Sequence, residues 1–286
     1  MKRLTFLDDV VWLGIEKLTY YVLFPALLIH TLGLQKLSGT EWWTLSWISI
    51  AVLLIVSLAV WLVYRLKPAY PAEAFTSIFQ GSVRYNTYIA LSVSSAYFGS
   101  QGLAVASLNA GFMIIVINLL CVSIFAVYGK TKSQNASDFI KQIIRNPLIL
   151  GCVAGWFLSL SGIGLPSVTE DFVEILGRAA LPLGLLAVGA SLKPKSLVSG
   201  FLPVTISIFF QFIAKPVLVL LLGNMAGVSQ LGLGILLISF SVPTASSSYI
   251  LARQLGGDVD AMASIITLQT MVAFIAMPIW AAAFLT

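Results

Sequence analysis

The sequence predicts an all-α membrane protein, and three observations support that fold class. The chain has 286 residues, of which 59% are hydrophobic and only 9% are charged. A soluble globular domain carries about 25% charged residues, so this composition excludes a water-soluble fold. The apolar residues form nine runs, most of them close to the roughly 20 residues that a helix needs to cross a bilayer. The third observation is that the two halves of the chain repeat each other at a fixed offset.

Nine transmembrane helices are predicted from these runs, with short connections between them. We place them at about residues 12–32, 42–64, 75–98, 103–128, 146–163, 172–192, 200–223, 229–252 and 261–285. The longest connection is the polar and basic segment 129–145, which we interpret as a linker between two halves.

Basic residues outside the nine runs fall almost entirely on one side of the membrane. The side that holds the N-terminus receives Lys2, Arg3, Arg65, Lys67, Lys130, Lys132, Lys141, Arg145, Lys193, Lys195 and Arg253. The other side receives Lys36 alone. Because cytoplasmic loops carry the excess of Lys and Arg, the N-terminus is predicted to be cytoplasmic and the C-terminus outside. The plasma membrane, which is the inner membrane of a bacterium, is the expected location.

The two halves of the chain match at an offset of 157 residues. The matched pairs include Gly99 with Gly256, Pro25 with Pro182 and Asn86 with Pro243. Spans one to four then map onto spans six to nine, and the odd number of spans between them inverts the second copy. We therefore predict an inverted repeat, which is a common transporter architecture. Its parts are residues 1–128, the cytoplasmic linker 129–145 and residues 146–286, and the first copy lacks a counterpart of the helix at 146–163.

Two polar stretches interrupt matched spans near the middle of the bilayer. They are "FQGSVRYNTYIALSV" at 79–93 and "SFSVPTASSSYI" at 239–250. At 1.5 Å per residue, Arg84 lies roughly 18 Å from Ala72, where span three enters from the cytoplasm, and Pro243 lies roughly 15 Å from Arg253 at the cytoplasmic end of span eight. Pro243 removes a backbone donor and breaks the helix. In span three Gly81 and Asn86 are the candidates for a break, and an unbroken helix that turns its polar residues inward is left open.

Arg84 is the central candidate for binding a ligand. Charges at this depth are rare and usually functional, and the guanidinium offers a two-pronged contact to a carboxylate. Half-helix N-termini would add positive potential, and no Asp or Glu lies at the same depth. A structural pairing of Arg84 with helix carbonyls or a carboxylate is the alternative. The predicted substrate-binding residues are Arg84, Tyr85, Asn86, Tyr88, Pro243, Thr244, Ser246, Ser247 and Ser248, with Asn109 and Lys215 as secondary candidates.

Other polar residues are interpreted more simply. Lys215 lies deep in span seven, where it either snorkels towards the surface or attracts anions. Glu174 and Arg178 have the spacing of an ion pair on one helix, and Asp258 precedes span nine as a helix cap. Cys121 and Cys152 are expected to be buried apolar residues. The sequence indicates no cofactor, no metal site, no nucleic-acid partner and no set of catalytic residues.

Several of these stretches together resemble one family. "YYVLFPALLIHTL", "VRYNTYIAL", "LPLGLLAVGASL" and "PTASSSYILARQLGGDVDAMASIITLQTMVAFIAMPIW" resemble the auxin efflux carrier family, which includes bacterial malonate and malate permeases. The resemblance implies two five-helix repeats, as in bile-acid and sodium/proton carriers, with two broken helices that cross at the substrate site. Asn86 and the segment 243–248 would form that crossing, and the family's first helix has no counterpart here.

These observations favour a secondary carrier for a small organic anion such as a mono- or dicarboxylate. Alternating access around the mid-membrane site would move the anion. One alternative is a sodium- or proton-coupled carrier of a non-anionic solute. Another is a membrane receptor or scaffold derived from a carrier. Lipids surround the protein in either case, and a homodimer and a coupling ion are further expected partners.

Overall fold

A computed structural model describes residues 8–34, 41–130, 144–165, 167–191 and 201–285, and helices are the only regular secondary structure in these ranges. The first half contains α1 (Asp9–Leu18), α2 (Phe24–Gly33), α3 (Glu41–Leu66), α4 (Ala72–Val83) and α5 (Thr87–Tyr128). The second half contains α6 (Pro147–Ser161), α7 (Ser167–Ser191), α8 (Phe201–Phe209), α9 (Lys215–Met225), α10 (Gln230–Ser241), α11 (Ser247–Leu255) and α12 (Val259–Leu285). The all-α prediction is therefore confirmed.

Six helical segments in the described ranges are long and apolar enough to cross a membrane. They are Val10–Gly33, Glu41–Leu66, Ala72–Tyr128, Ser167–Ala190, Leu202–Met225 and Val259–Ala282. The shorter apolar helices Pro147–Ser161 and Gln230–Ser241 fall in the predicted fifth and eighth spans. Large apolar side chains such as Trp47, Phe274 and Ile275 are exposed on these helices, as expected of surfaces that face lipid rather than water.

Predicted spans three and four are joined by a continuous helical segment, which the sequence did not indicate. Helix α5 has 42 residues, which would extend about 63 Å at 1.5 Å per residue, twice the thickness of a bilayer core. Its path is broken at Gly99, which has φ +61° and ψ −150°. Because few residues other than glycine adopt a positive φ, Gly99 divides α5 into the second half of span three and the whole of span four.

Proline changes the helical pitch at two places. A π-helical turn, Thr19–Leu23, joins α1 to α2 just before Pro25, and a second, Phe210–Ala214, joins α8 to α9 just before Pro216. Proline lacks the N–H and its ring crowds the carbonyl four residues earlier, so a wider turn accommodates it without ending the span. Pro182, which matches Pro25 at the predicted offset, lies inside α7.

Helix α2 packs closely against α6 and α7, and glycines form the contact. A Cβ atom built on Gly151 of α6 would lie 2.9 Å from the Cα of Pro25, and one on Gly155 would lie 2.8 Å from the Cβ of Leu32. A Cβ atom on Gly177 of α7 would lie 3.0 Å from the Cα of Leu27. Small residues four apart are the usual means by which membrane helices approach closely.

The prediction of two repeats at residues 1–128 and 146–286 stays a prediction. Most of the linker 129–145 lies outside the described residues, as do Lys2, Arg3, Lys36, Lys132, Lys141, Lys193 and Lys195 of the predicted charge asymmetry. Two glycines at the predicted offset, Gly99 and Gly256, both have positive φ, +61° and +74°. Each follows a broken span.

Candidate functional site

The break in span three lies at Arg84, Tyr85 and Asn86. Helix α4 ends at Val83, and Arg84 takes an extended conformation with φ −70° and ψ 158°. The side chain of Asn86 then caps α5, because its Oδ1 accepts hydrogen bonds from the backbone N–H groups of Tyr88 (3.1 Å) and Ile89 (3.2 Å). The asparagine therefore starts the second half-helix, and Gly81 remains within α4. The predicted break at Asn86 is confirmed.

The break in span eight lies between Ser241, the last residue of α10, and Ser247, the first residue of α11. Pro243 falls within it, as predicted. The two breaks touch each other, since the N–H of Asn86 donates a 2.8 Å hydrogen bond to the carbonyl of Pro243. The hydroxyl of Thr244 donates to the carbonyl of Gln80 at 3.3 Å. Two chain segments 157 residues apart thus meet at one point.

Two buried glutamines satisfy backbone groups that the breaks release. Gln269 of α12 accepts a hydrogen bond from the N–H of Thr244 (2.9 Å) and donates one to the carbonyl of Gly81 (2.8 Å). Gln211, in the π-helical turn before α9, donates to the carbonyl of Val242. Backbone that leaves the helical ladder in a membrane survives only where such partners exist, so these side chains make the breaks possible.

A cavity of about 640 Å³ opens beside the meeting point of the two breaks. Its inner wall is the chain at 84–88 and the segment 245–247, and α1, α5, α11 and the start of α6 form the sides. Its charged lining residues are Glu16, Lys17, Arg84 and Arg145. Three of these four side chains are basic, so the cavity favours negatively charged ligands.

Arg84 lines the inner wall of this cavity, and its contacts are with uncharged groups. Its guanidinium donates to Asn118 Oδ1 at 3.4 Å and to the hydroxyl of Ser247 at 3.2 Å, and the thiol of Cys121 lies close to it. The two ion pairs found among the described residues, Lys130 with Glu73 and Arg178 with Glu174, do not involve it. The arginine is therefore held in place without being neutralised.

The chain matches the family described as "Membrane transport protein" over residues 2–281. It belongs to this family. The resemblance to the auxin efflux carriers is thereby confirmed, because this family comprises those carriers.

Two archaeal relatives carry the description of uncharacterized transporters. One, from Methanocaldococcus jannaschii, is 24% identical over 196 residues, which are 68% of this chain and 63% of the relative. The other, from Methanothermobacter thermautotrophicus, is 22% identical over 194 residues, which are 68% of this chain and 62% of the relative. Each match therefore spans less than two thirds of the relative's length.

In this member of the membrane transport family, the predicted site residues separate into two groups. Arg84, Tyr85, Asn86, Tyr88, Ser246 and Ser247 line the cavity. Pro243, Thr244 and Ser248 are buried behind the inner wall instead, where Thr244 and Ser248 lie within hydrogen-bonding distance of each other. Their contacts are with the protein itself, so the geometry gives them a role in holding the breaks.

The two secondary candidates lie away from the cavity wall. Asn109 of α5 accepts a 3.0 Å hydrogen bond from Ser49 of α3, so it joins two helices. Lys215 is fully buried and does not snorkel. The remaining expectations agree with the structure: Glu174 pairs with Arg178, Asp258 caps α12, and Cys121 and Cys152 are free and buried.

Sequence reasoning missed the wall that α1 and the π-helical turn after it contribute. Leu13, Glu16, Lys17, Tyr20 and Tyr21 face the cavity at spacings of three and four residues. That spacing indicates a single helical face. Leu13, Tyr20 and Tyr21 are apolar or aromatic, however, so the face does not stand out from the rest of an apolar span. Arg145 and Gln254, which also line the cavity, were missed as well. Gln211 and Gln269 were missed because their backbone partners lie far away in the sequence.

Proposed function

We propose that this protein carries a small organic anion, such as a mono- or dicarboxylate, across the plasma membrane. The observation that carries the proposal is the guanidinium of Arg84 on the inner wall of a 640 Å³ cavity, with Asn118 and Ser247 as its hydrogen-bond partners. A carboxylate that replaced these weak partners would gain charge-assisted hydrogen bonds. Membership of a transport family supports the carrier reading.

The cavity opens to the cytoplasm in this proposal. The part of the cavity that is farthest from the breaks is lined by Lys17, Arg145 and Gln254. The predicted topology assigns that end of the molecule to the cytoplasmic side. The positively charged mouth would concentrate anions, and the apolar side chains of Ile114, Ile117 and Leu251 would exclude water from the remainder of the site.

Uptake into proteoliposomes tests the role of Arg84. The probes are radiolabelled acetate, malonate and malate, compared for wild type and Arg84→Gln. A charged hydrogen-bonding partner contributes about 1.5–3 kcal/mol, so we expect apparent affinity for the transported acid to fall about 10- to 100-fold. Arg84→Lys keeps the charge but loses the two-pronged geometry, so its affinity should be intermediate.

Arg65→Gln is the matched control, because Arg65 is an exposed arginine at the end of α3 that stacks on Trp61. Its uptake should equal that of wild type. Unchanged uptake in Arg84→Gln would contradict the proposed site. Binding of the acid without uptake, measured by a rise in melting temperature, would instead indicate the receptor or scaffold alternative.

A further inference from the structure

A second group of polar side chains lines the cavity that holds Arg84. Glu16 of α1, Tyr20 in the π-helical turn after α1, and Tyr88 of α5 form this group, which we call the Glu16 subsite. Within the described part of the chain, no hydrogen bond or ion pair uses the carboxylate of Glu16 or the hydroxyls of the two tyrosines. The subsite therefore offers three oxygen atoms to a ligand.

The ring of Tyr88 is held in position by the protein. It stacks on the buried ring of Phe24, with the ring centroids 4.2 Å apart and the planes 17° from parallel. A Cβ atom on Gly184 of α7 would lie 3.0 Å from the ring of Phe24 and 3.3 Å from that of Tyr88, so the glycine leaves room for this pair. A side chain that is fixed before the ligand arrives loses little entropy when the ligand binds.

The Glu16 subsite lies next to Arg84. Glu16 and Tyr20 are four residues apart on one helical segment, Val10–Gly33, and residues at this spacing have Cβ atoms about 5–6 Å apart. The phenol of Tyr88 lies close to both of them, and Tyr20 also lies close to Arg84. A small ligand bound at Arg84 can therefore reach the carboxylate of Glu16.

An unpaired carboxylate is unexpected in the wall of a cavity for anions. Glu16 is half-buried, and a charge that is taken out of water is costly unless a charge of opposite sign meets it. Lys17 lines the same cavity, but adjacent residues on a helix do not face each other. Glu16 would also repel a second negative charge on a plain dicarboxylate. The ligand itself is therefore expected to supply the positive charge.

The chemistry of the subsite matches an ammonium group. An ammonium has three N–H donors, and the carboxylate and the two phenol oxygens supply three acceptors. The faces of the tyrosine rings attract cations as well. A ligand hydroxyl would donate only one hydrogen bond and would leave the charge of Glu16 unpaired. A bare proton on Glu16 would make no use of the two tyrosines.

We propose that the anion carried by this protein is an acidic α-amino acid, which has two carboxylates and one ammonium group. This inference rests on the proposed anion carrier and names its substrate class. The α-carboxylate binds at Arg84, and the ammonium binds in the Glu16 subsite. The second carboxylate lies towards the mouth of the cavity, where Lys17 and Arg145 provide positive charge. Each charge of the ligand then meets the opposite charge on the cavity wall.

Uptake of three matched acids into proteoliposomes tests this proposal. Succinate, malate and aspartate share one dicarboxylate skeleton and differ at a single position, which carries a hydrogen, a hydroxyl or an ammonium group. The apparent affinity is measured for each radiolabelled acid. A hydrogen-bonded charge pair favours binding about 10- to 100-fold, so wild type should prefer aspartate to succinate by that factor, with malate between them.

Two variants assign this preference to the subsite. Glu16→Gln keeps the shape but loses the charge, so the preference for aspartate over succinate should fall to about threefold or less. Tyr88→Phe keeps the stacked ring and removes one acceptor, so the preference should fall about three- to tenfold. Asp171→Asn is the matched control, because Asp171 is an exposed carboxylate near the start of α7. It should keep the preference of wild type.

The outcomes separate the substrate class from the carrier function. Equal affinities of wild type for aspartate and succinate overturn the ammonium subsite and leave the anion carrier standing, whether or not the variants fold. A preference for malate over aspartate also overturns it, as does a preference for aspartate that persists in both Glu16→Gln and Tyr88→Phe. Succinate uptake that rises in acid, and no longer does so in Glu16→Gln, makes Glu16 a proton carrier instead. Uptake of none of these acids, nor of acetate or malonate, overturns the carrier function itself.

Discussion

Single side chains decide whether the backbone can leave its helical path within the membrane. Asn86 accepts hydrogen bonds from two N–H groups that have no helical acceptor. Gln269 forms a hydrogen bond with one backbone group at each break. Arg84 and Pro243 could be predicted from the sequence, because a charge and a proline stand out in apolar spans. Gln269 could not, because its importance depends on which backbone groups lie opposite it in three dimensions.

Gln269→Leu should destabilise the protein. The substitution leaves the N–H of Thr244 and the carbonyl of Gly81 buried without partners, at about 1–3 kcal/mol for each group. We expect the melting temperature in detergent, followed by tryptophan fluorescence, to fall clearly below that of wild type. Gln230→Leu, at an exposed position at the start of α10, provides the control. Equal melting temperatures for the two variants would show that Gln269 does not hold the breaks together.

At the scale of elements, span bounds follow from apolar runs to within a few residues, but bends and breaks follow less well. The break at Pro243 could be predicted from proline chemistry. The break at Arg84 has no proline and depends on the Asn86 cap and the opposing chain. The turn at Gly99 is encoded by one glycine in a stretch of small residues, which gives no distinctive signal. The close contact of α2 with α6 depends on Gly151 and Gly155, which apolar patterning alone does not separate from other small residues.

Gly151→Ala tests the contact between α2 and α6. Alanine normally stabilises a helix by about 0.5–1 kcal/mol relative to glycine. Here the added Cβ would meet the backbone of Pro25 at 2.9 Å, so overpacking should reverse the sign and cost about 1–3 kcal/mol. Gly189→Ala in α7, where the added atom meets open space, should instead raise the melting temperature. Stabilisation by both substitutions would refute this packing.

At the scale of the whole molecule, the predicted orientation in the membrane rests on basic residues that lie partly outside the described ranges. Composition alone was enough to predict an integral membrane protein. The position of the cavity could not be predicted, because it depends on how α1, α5 and α11 surround the two breaks. Their approach is set by packing between helices and not by any one span.

Labelling of single cysteines tests the orientation and the cavity together. Gln254→Cys lines the cavity and should react with a membrane-impermeant maleimide from the cytoplasmic side. Gln101→Cys, exposed just after the turn at Gly99, should react from the outside. The native Cys121 and Cys152 are buried and should react slowly, so the wild type measures the background. The reverse pattern would invert the proposed topology.

The hydrogen bond between Asn86 and Pro243 limits how the molecule can move. Together with Gln269 it ties both half-helix breaks into a single block. A clamshell motion with its hinge through the site would have to rupture these hydrogen bonds between buried groups, and an unpaired buried backbone group is costly. If the protein carries an anion as proposed, the ligand would therefore travel with the block as it slides past the neighbouring helices. During a transport cycle, the separation of residues 86 and 243 should stay constant, while their heights relative to α6 change.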